Sequence, residues 1–368
     1  NLNAQADNMD LNCKSAILID ASTGVIIVEK NAHDKLSPAS VTKIMTMLLI
    51  IEAIDSNKIS LDDKVTISKE AASNKIEGTK LLLEAGEVRT VKDLLYGIAV
   101  ESANDGCIAM GEYISGSEEH FVQLMNKRAK ELGMNDTTFK NPHGLHVDGH
   151  VTSAYDIGIM SRELIKHEKI FDFISKYMVT VNVGKKNDVK RELVNKNKMV
   201  HFYKDIDGIK TGFTNEAMYC ISLTAKRSDL RLISVIMGAS TIDTRNKEAR
   251  KLLDYGFANY KNINIAKARD AIGEVNISKG NHMKINAVVT SDCNILVPKG
   301  QDNGTLEKII NIPKTLSAPI SKGQKVGQLV LYRNGTEAGN YPLYSDRDVT
   351  KSTFINNIRK SFLYLFIY

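Results

Sequence analysis

Ser40 and Lys43 stand three residues apart in Ser37-Pro38-Ala39-Ser40-Val41-Thr42-Lys43, directly before the apolar run Ile44-Met45-Thr46-Met47-Leu48-Leu49-Ile50-Ile51-Glu52-Ala53-Ile54. On a helix this spacing puts both side chains on one face, about one turn apart. A serine hydroxyl is a weak nucleophile until a base takes its proton, and lysine is such a base only when neutral. Burial and nearby positive charge both lower a lysine pKa, so a dry helix start supplies that condition. The plain alternative is a capping serine beside a lysine that snorkels to solvent.

Stepping outward, Pro38 suits a first helical turn and Ser37 is the expected N-cap, so the helix is predicted to begin just before Ser40. Its apolar residues fall on every face, which fits a helix enclosed by protein. The run is too short to span a membrane. Ser15 to Asp20 and Val25 to Val28 read as a β-hairpin around Ala21-Ser22-Thr23-Gly24. From about Ser60 to His167 the pattern is helical, with a capping box at Thr90-Val91-Lys92-Asp93 and helical spacing from Phe121 through Leu132 to Gly133. Ser102-Ala103-Asn104 lies between two of these helices, where a loop projects polar side chains from rigid supports.

Met218 to Lys226 and Leu230 to Met237 are β-rich, and Thr241 to Tyr260 reads as a helix with Ala249, Leu252, Leu253 and Phe257 inward. Strands, then helices, then strands and a helix make an α+β arrangement, with the early hairpin expected to join the late strands in one antiparallel sheet. The predicted divisions are an N-terminal remnant over 1–14, a principal domain over 15–261, a β-rich domain over 262–350 and a tail over 351–368. In the β domain, Gln328 to Tyr332 and Tyr341 to Tyr344 on either side of Arg333-Asn334-Gly335-Thr336 suggest a hairpin with a primed turn or a slightly longer loop.

The chain has 368 residues, 43% of them hydrophobic, enough for a full core and two domains. Lys and Arg total 49 against 43 acidic residues, but the charges are interspersed, so nucleic acid is not an expected partner. The four cysteines, Cys13, Cys107, Cys220 and Cys293, are scattered without Cys-x-x-Cys spacing and read as mostly buried thiols without a metal or redox role. Asn141-Pro142-His143-Gly144-Leu145-His146-Val147-Asp148-Gly149-His150 gathers His143, His146, Asp148 and His150, but at no established ligand spacing. No metal and no cofactor are expected. Ala4-Gln5-Ala6 has the small-residue pattern that ends a secretory cleavage region, which implies an extracytoplasmic protein. Arg359 and Lys360 followed by Phe362 to Tyr368 read either as a segment lying in a membrane interface or as a frayed end.

Ser40-x-x-Lys43, Ser102-x-Asn104 and Lys210-Thr211-Gly212 each occur once and in this order. Together they resemble the motif set of penicillin-binding proteins and β-lactamases. The wider context, Ser102-Ala103-Asn104-Asp105, Asn141-Pro142-His143-Gly144-Leu145 and Asp207-Gly208-Ile209-Lys210-Thr211-Gly212, is similar to the low-molecular-mass penicillin-binding proteins of the serine D-alanyl-D-alanine carboxypeptidase family. The resemblance spans roughly Ser15 to Tyr260 and continues more weakly into the β domain and tail, which in that family form a stalk and a membrane anchor.

This resemblance implies that Ser40 attacks an acyl carbonyl, Lys43 takes its proton, and Ser102 links Lys43 to Lys210 so that a proton reaches the leaving amine. It also implies that Asn104 holds the substrate amide, Lys210 and Thr211 bind the terminal carboxylate, and Gly212 keeps the strand edge clear. The backbone N–H groups of Ser40 and Phe213 are the implied oxyanion donors, and Arg245 falls where the family can carry an arginine aimed at the carboxylate. The implied partners are the peptidoglycan stem peptide ending in D-Ala-D-Ala and the β-lactams that imitate it. One departure is Met218, where the family usually has glycine. The alternatives are a slow-turnover penicillin-binding sensor or wall scaffold, an endopeptidase or transpeptidase using the same residues, and a β-lactamase. The last lacks support, because no Glu is followed three residues later by Leu, as the class A deacylation loop requires.

Overall fold

The protein is described by a computed structural model that covers residues 9–186, 189–301 and 303–352. These residues form two compact units that divide between Ala258 and Asn259. In the first, β1 (Ser15–Asp20), β2 (Ile26–Lys30), β3 (Ile206–Thr214), β4 (Met218–Arg227) and β5 (Leu230–Ala239) make a five-stranded sheet in the order β2-β1-β5-β4-β3. All its pairings are antiparallel, and β1 runs from Ser15 opposite Met237 to Asp20 opposite Leu232. The early hairpin thus joins the late strands in one sheet, and β3 is left as an edge.

Both faces of the sheet are covered. In β1, Ile17 and Ile19 point one way and Leu18 the other, as the two-residue period of a strand requires. The Ile19 side chain packs on Gly158 of α4 (Ala154–Leu164), where a Cβ would come within 2.4 Å of it. Leu18 and Leu232 pack on Gly256 of α5 (Ile242–Asn259), where a Cβ would meet them at 3.1 and 2.5 Å. Small residues let both helices approach the sheet closely.

The helical layer also contains α1 (Lys43–Asp55), α2 (Asn104–Ser115) and α3 (Glu118–Glu131). Helix α1 is buried nearly all round, with only Leu49, Glu52 and Asp55 outside the buried set, so burial rather than amphipathicity holds it. Thr90 caps the short helix Val91–Tyr96 by accepting from the Asp93 N–H, and Ser153 caps α4 by accepting from Asp156.

The stretch expected to be helical throughout, Ser60 to His167, also contains a small antiparallel pair, Lys64–Thr66 with Val88–Thr90. A second hairpin, Met178–Val183 with Val189–Val194, has no clear sequence signature. It is tied down non-locally: the buried Arg89, paired with Glu87, donates to the carbonyls of Asn182 at 2.5 Å and Gly184 at 3.1 Å.

The second unit pairs Tyr260–Ala266 with Cys293–Pro298 and adds a six-stranded sheet closing over Val275, Ile285, Leu329, Leu331 and Leu343. Its strands Lys325–Arg333 and Thr336–Ser345 turn at Asn334 (φ +51°) and Gly335 (φ +75°), the two left-handed residues of a primed hairpin turn. All four cysteines are free thiols, three buried and Cys13 partly so. Among the described residues no helix is long and apolar enough to cross a membrane. The tail segment from Phe354 to Tyr368 and the Ala4-Gln5-Ala6 stretch lie outside the described residues.

Candidate active site

Ser40 sits before the α-helix proper. Residues Ala39–Thr42 form a 3₁₀ turn, and α1 begins at Lys43. The expected cap is absent: Pro38 occupies the cap position without a side-chain bond, and the Ser37 hydroxyl is buried with no partner among the described residues. The tighter turn follows from Ala39, whose φ of +50° is outside the helical range. Lys43 is fully buried; its Nζ lies 2.9 Å from Ser40 Oγ and donates to the His143 carbonyl at 2.7 Å. Burial lowers its pKa to about 8, with Cys107 and Asp105 opposing. A neutral amine there keeps a lone pair for the Ser40 proton.

The carbonyl that holds Lys43 belongs to the histidine-containing loop. Asn141 Oδ1 accepts from the N–H groups of His143 and Gly144, and Pro142 O accepts from Thr46. Gly144 (φ +93°) lies so close to the Ser40 turn that a Cβ would fall 1.9 Å from Ala39 O. The rings of His143 and His150 have pKa values of about 3 and 4, lowered chiefly by burial, so both are neutral. Among the described residues, no group of three or more His, Cys, Asp or Glu is set to hold a metal ion. This loop shapes the nucleophile's surroundings through its backbone.

Ser102 follows a π-helical turn, Gly97–Glu101, and adopts a left-handed conformation (φ +67°) before Asn104 opens α2. Asn104 is buried, donates from Nδ2 to Glu77 O at 2.7 Å, and gives its N–H to Thr79 O at 2.8 Å. Asp105 accepts from Leu81, Leu83 and Gly106. Asn104 and its neighbour Asp105 therefore fix segment 77–83 as a wall, and among the described residues Asn104 Oδ1 accepts no bond.

On β3, Lys210 and Thr211 are buried while Phe213 is half-exposed against Tyr219, with ring centroids 4.4 Å apart. Gly212 packs on the Ser40 turn: a Cβ there would lie 3.0 Å from Ser40 N, 3.1 Å from Ala39 Cβ and 3.1 Å from Pro38 O. The sheet margin and the nucleophile turn are thus in contact through a residue without a side chain. Lys210 Nζ donates to Thr211 O at 3.1 Å. Its pKa is held well below the usual lysine range, first by burial, then by the charges of Lys43, Arg245 and Lys196. Arg245 is buried in α5 and turns two donors to Asn246 Oδ1, at 3.1 and 3.0 Å.

Lys196 escaped the sequence reading. Its N–H bonds to Val100 O at 3.1 Å beside the Ser102 motif, and its amine lies 3.2 Å from Glu101. A lone lysine between two asparagines carries no local signal. Met218 is left-handed, with φ +55°, which is the physical reason a glycine suits this turn.

A half-buried serine paired with a fully buried lysine, a wall that offers an amide oxygen and a strand edge beside two further cations can perform acyl transfer to serine. Residues 2–241 match the D-alanyl-D-alanine carboxypeptidase family, and residues 260–351 match the C-terminal domain of penicillin-binding protein 5. The chain belongs to the D-alanyl-D-alanine carboxypeptidase family. Within it, the chain is 44% identical over 348 residues to D-alanyl-D-alanine carboxypeptidase DacF of Bacillus subtilis, covering 95% of this chain and 88% of that protein. Penicillin-binding protein 5 of Haemophilus influenzae shares its fold with a TM-score of 0.73 and 31% identity, over 93% of this chain and 99% of that one. Penicillin-binding protein D2 of Listeria monocytogenes, in its cefotaxime-bound form, aligns with a TM-score of 0.61 and 33% identity over 68% of this chain and 99% of that one. The carboxypeptidase-family fold, mixed α+β with an all-β C-terminal domain, is the one described above.

Proposed function

We propose that this protein is a serine-type D-alanyl-D-alanine carboxypeptidase that removes the terminal D-alanine from peptidoglycan stem pentapeptides outside the cytoplasm and is inhibited by β-lactams. The observation that carries this is the 2.9 Å approach of Lys43 Nζ to Ser40 Oγ. Gly212 of the strand edge seated on the same turn completes it. In the first step, Ser40 Oγ bonds to the carbonyl carbon of the penultimate D-alanine and its proton passes to Lys43. The N–H groups of Ser40 and Phe213 stabilise the oxyanion. The C–N bond then breaks, and the departing D-alanine amine takes a proton delivered through Ser102. Lys210 and Thr211, with Arg245 behind them, bind the carboxylate that leaves; Asn104 orients the peptide amide. Water hydrolyses the acyl-enzyme, with Lys43 again taking a proton.

The last residues of the chain, rich in Phe, Leu and Tyr beside Arg359 and Lys360, are proposed as a contact with the membrane surface. The test of function is release of D-alanine from a muropeptide pentapeptide to give the tetrapeptide. Ser40→Ala is expected to abolish covalent labelling by a fluorescent penicillin and to cut turnover by roughly ten-thousandfold. Undiminished labelling rejects Ser40 as nucleophile. The left-handed Met218 beside the site favours a second reading, a sensor that acylates but barely turns over. Labelling without D-alanine release would establish that reading instead.

A further inference from the structure

Behind the nucleophile turn lies a buried contact that the steps above do not use. Thr42, between Ser40 and Lys43, is completely buried, and its Oγ1 is 2.9 Å from Nε2 of His150, itself only 2% exposed. The other ring nitrogen, Nδ1, receives the backbone N–H of Lys140 at 3.2 Å. An amide N–H can only donate, so Nδ1 carries the lone pair and the neutral ring holds its proton on Nε2. The His150–Thr42 bond therefore has one direction: Nε2–H donates to Oγ1.

The same threonine oxygen lies against Gly144, where a Cβ would come within 2.9 Å of it. Gly144 follows His143, whose carbonyl holds Lys43, and the His150 N–H closes the far end of this loop on Val147 O at 2.9 Å. His150 thus clamps the 3₁₀ turn carrying Ser40 to the loop that orients Lys43. Burial makes the clamp stiff, because a lost partner leaves a polar atom with no water to replace it.

We infer that His150 is a positioning residue for acylation, acting through Thr42 to hold Ser40 Oγ and the Ser40 N–H in register with Lys43. This inference rests on the acyl-enzyme chemistry proposed above. A small displacement of a nucleophile costs rate far more than stability.

The experiment measures the second-order rate of acylation by a fluorescent penicillin, alongside thermal unfolding, for the full chain. Thr42→Val keeps the shape but removes the acceptor, and His150→Asn keeps an acceptor near Nδ1 but removes the Nε2 donor. Each is expected to acylate about 10- to 100-fold more slowly. Thr42→Ser, which restores the hydroxyl, should recover to within about threefold. Thr42→Val/His150→Asn together should lose little beyond either alone, because one bond is being removed. Rates within twofold of wild type for both single variants, in protein that unfolds as a single transition, would overturn the inference. So would a threonine-to-serine change as slow as the valine variant. Wild-type protein that labels with penicillin but releases no D-alanine would sink the carboxypeptidase reading alone, since the variant comparison uses only acylation.

Discussion

Gly212 and Ser40 face each other across a gap with no room for a side chain: a Cβ on residue 212 would lie 3.0 Å from the Ser40 nitrogen. The nearest atoms besides are Ala39 Cβ and Pro38 O, so a rigid turn rather than a flexible side chain would have to yield. Gly212→Ala is expected to slow penicillin acylation by about 10- to 100-fold, because it shifts the nucleophile rather than removing it. Stopped-flow labelling checks this, and an unchanged rate would show that the turn moves freely.

Lys43 gives acylation a pH dependence with a definite sign. The amine accepts the Ser40 proton only when neutral, and its pKa is about 8, so the acylation rate should rise with pH and level off above that value. A rate falling through this range would remove Lys43 as the base.

The same group links pH to stability. Its pKa is about 8 folded against 10.5 unfolded, so between these values the unfolded chain binds more protons and stability rises with pH. Relative to Lys43→Met, the wild-type protein should gain on the order of 3 kcal/mol between pH 8 and 10.5. Urea titrations of both proteins across that window measure the difference, and parallel curves would refute it.

Met218 pays a conformational cost at φ +55°. Left-handed backbone disfavours a residue with a Cβ by ~1–2 kcal/mol, while glycine adds ~0.5–1 kcal/mol of unfolded-state entropy. Met218→Gly should therefore stabilise the protein by about 0.5–1 kcal/mol, read as a higher midpoint in urea. If Met218 is what limits turnover, D-alanine release should also quicken in this variant.

Asp105 accepts from three backbone N–H groups, two of them on the wall segment. Asp105→Asn replaces an acceptor oxygen with a donor and strands at least one of these groups, which should cost about 1–3 kcal/mol. Hydrogen exchange should show Leu81 and Leu83 losing protection; retained protection would mean the wall has other supports.

The sequence determined what is local or chemical. The helix start at Thr90 rests on capping, the β1–β2 hairpin on residue type and turn signals, and the Asn334-Gly335 turn on positive φ. The three motifs were legible because acyl transfer needs particular side chains at short spacing. Tertiary structure decided the rest. Ser37 offered a cap that Ala39, forced to φ +50° beneath Gly144, made geometrically useless. The Met178–Val194 hairpin rests on Arg89, some ninety residues earlier, and Lys196 reaches the site because its backbone pairs with Val100. Contacts between residues a hundred positions apart, such as Lys43 to His143 O and Thr42 to His150, leave no periodic trace. They become visible only when packing brings those segments together and burial forces every polar atom to find a partner.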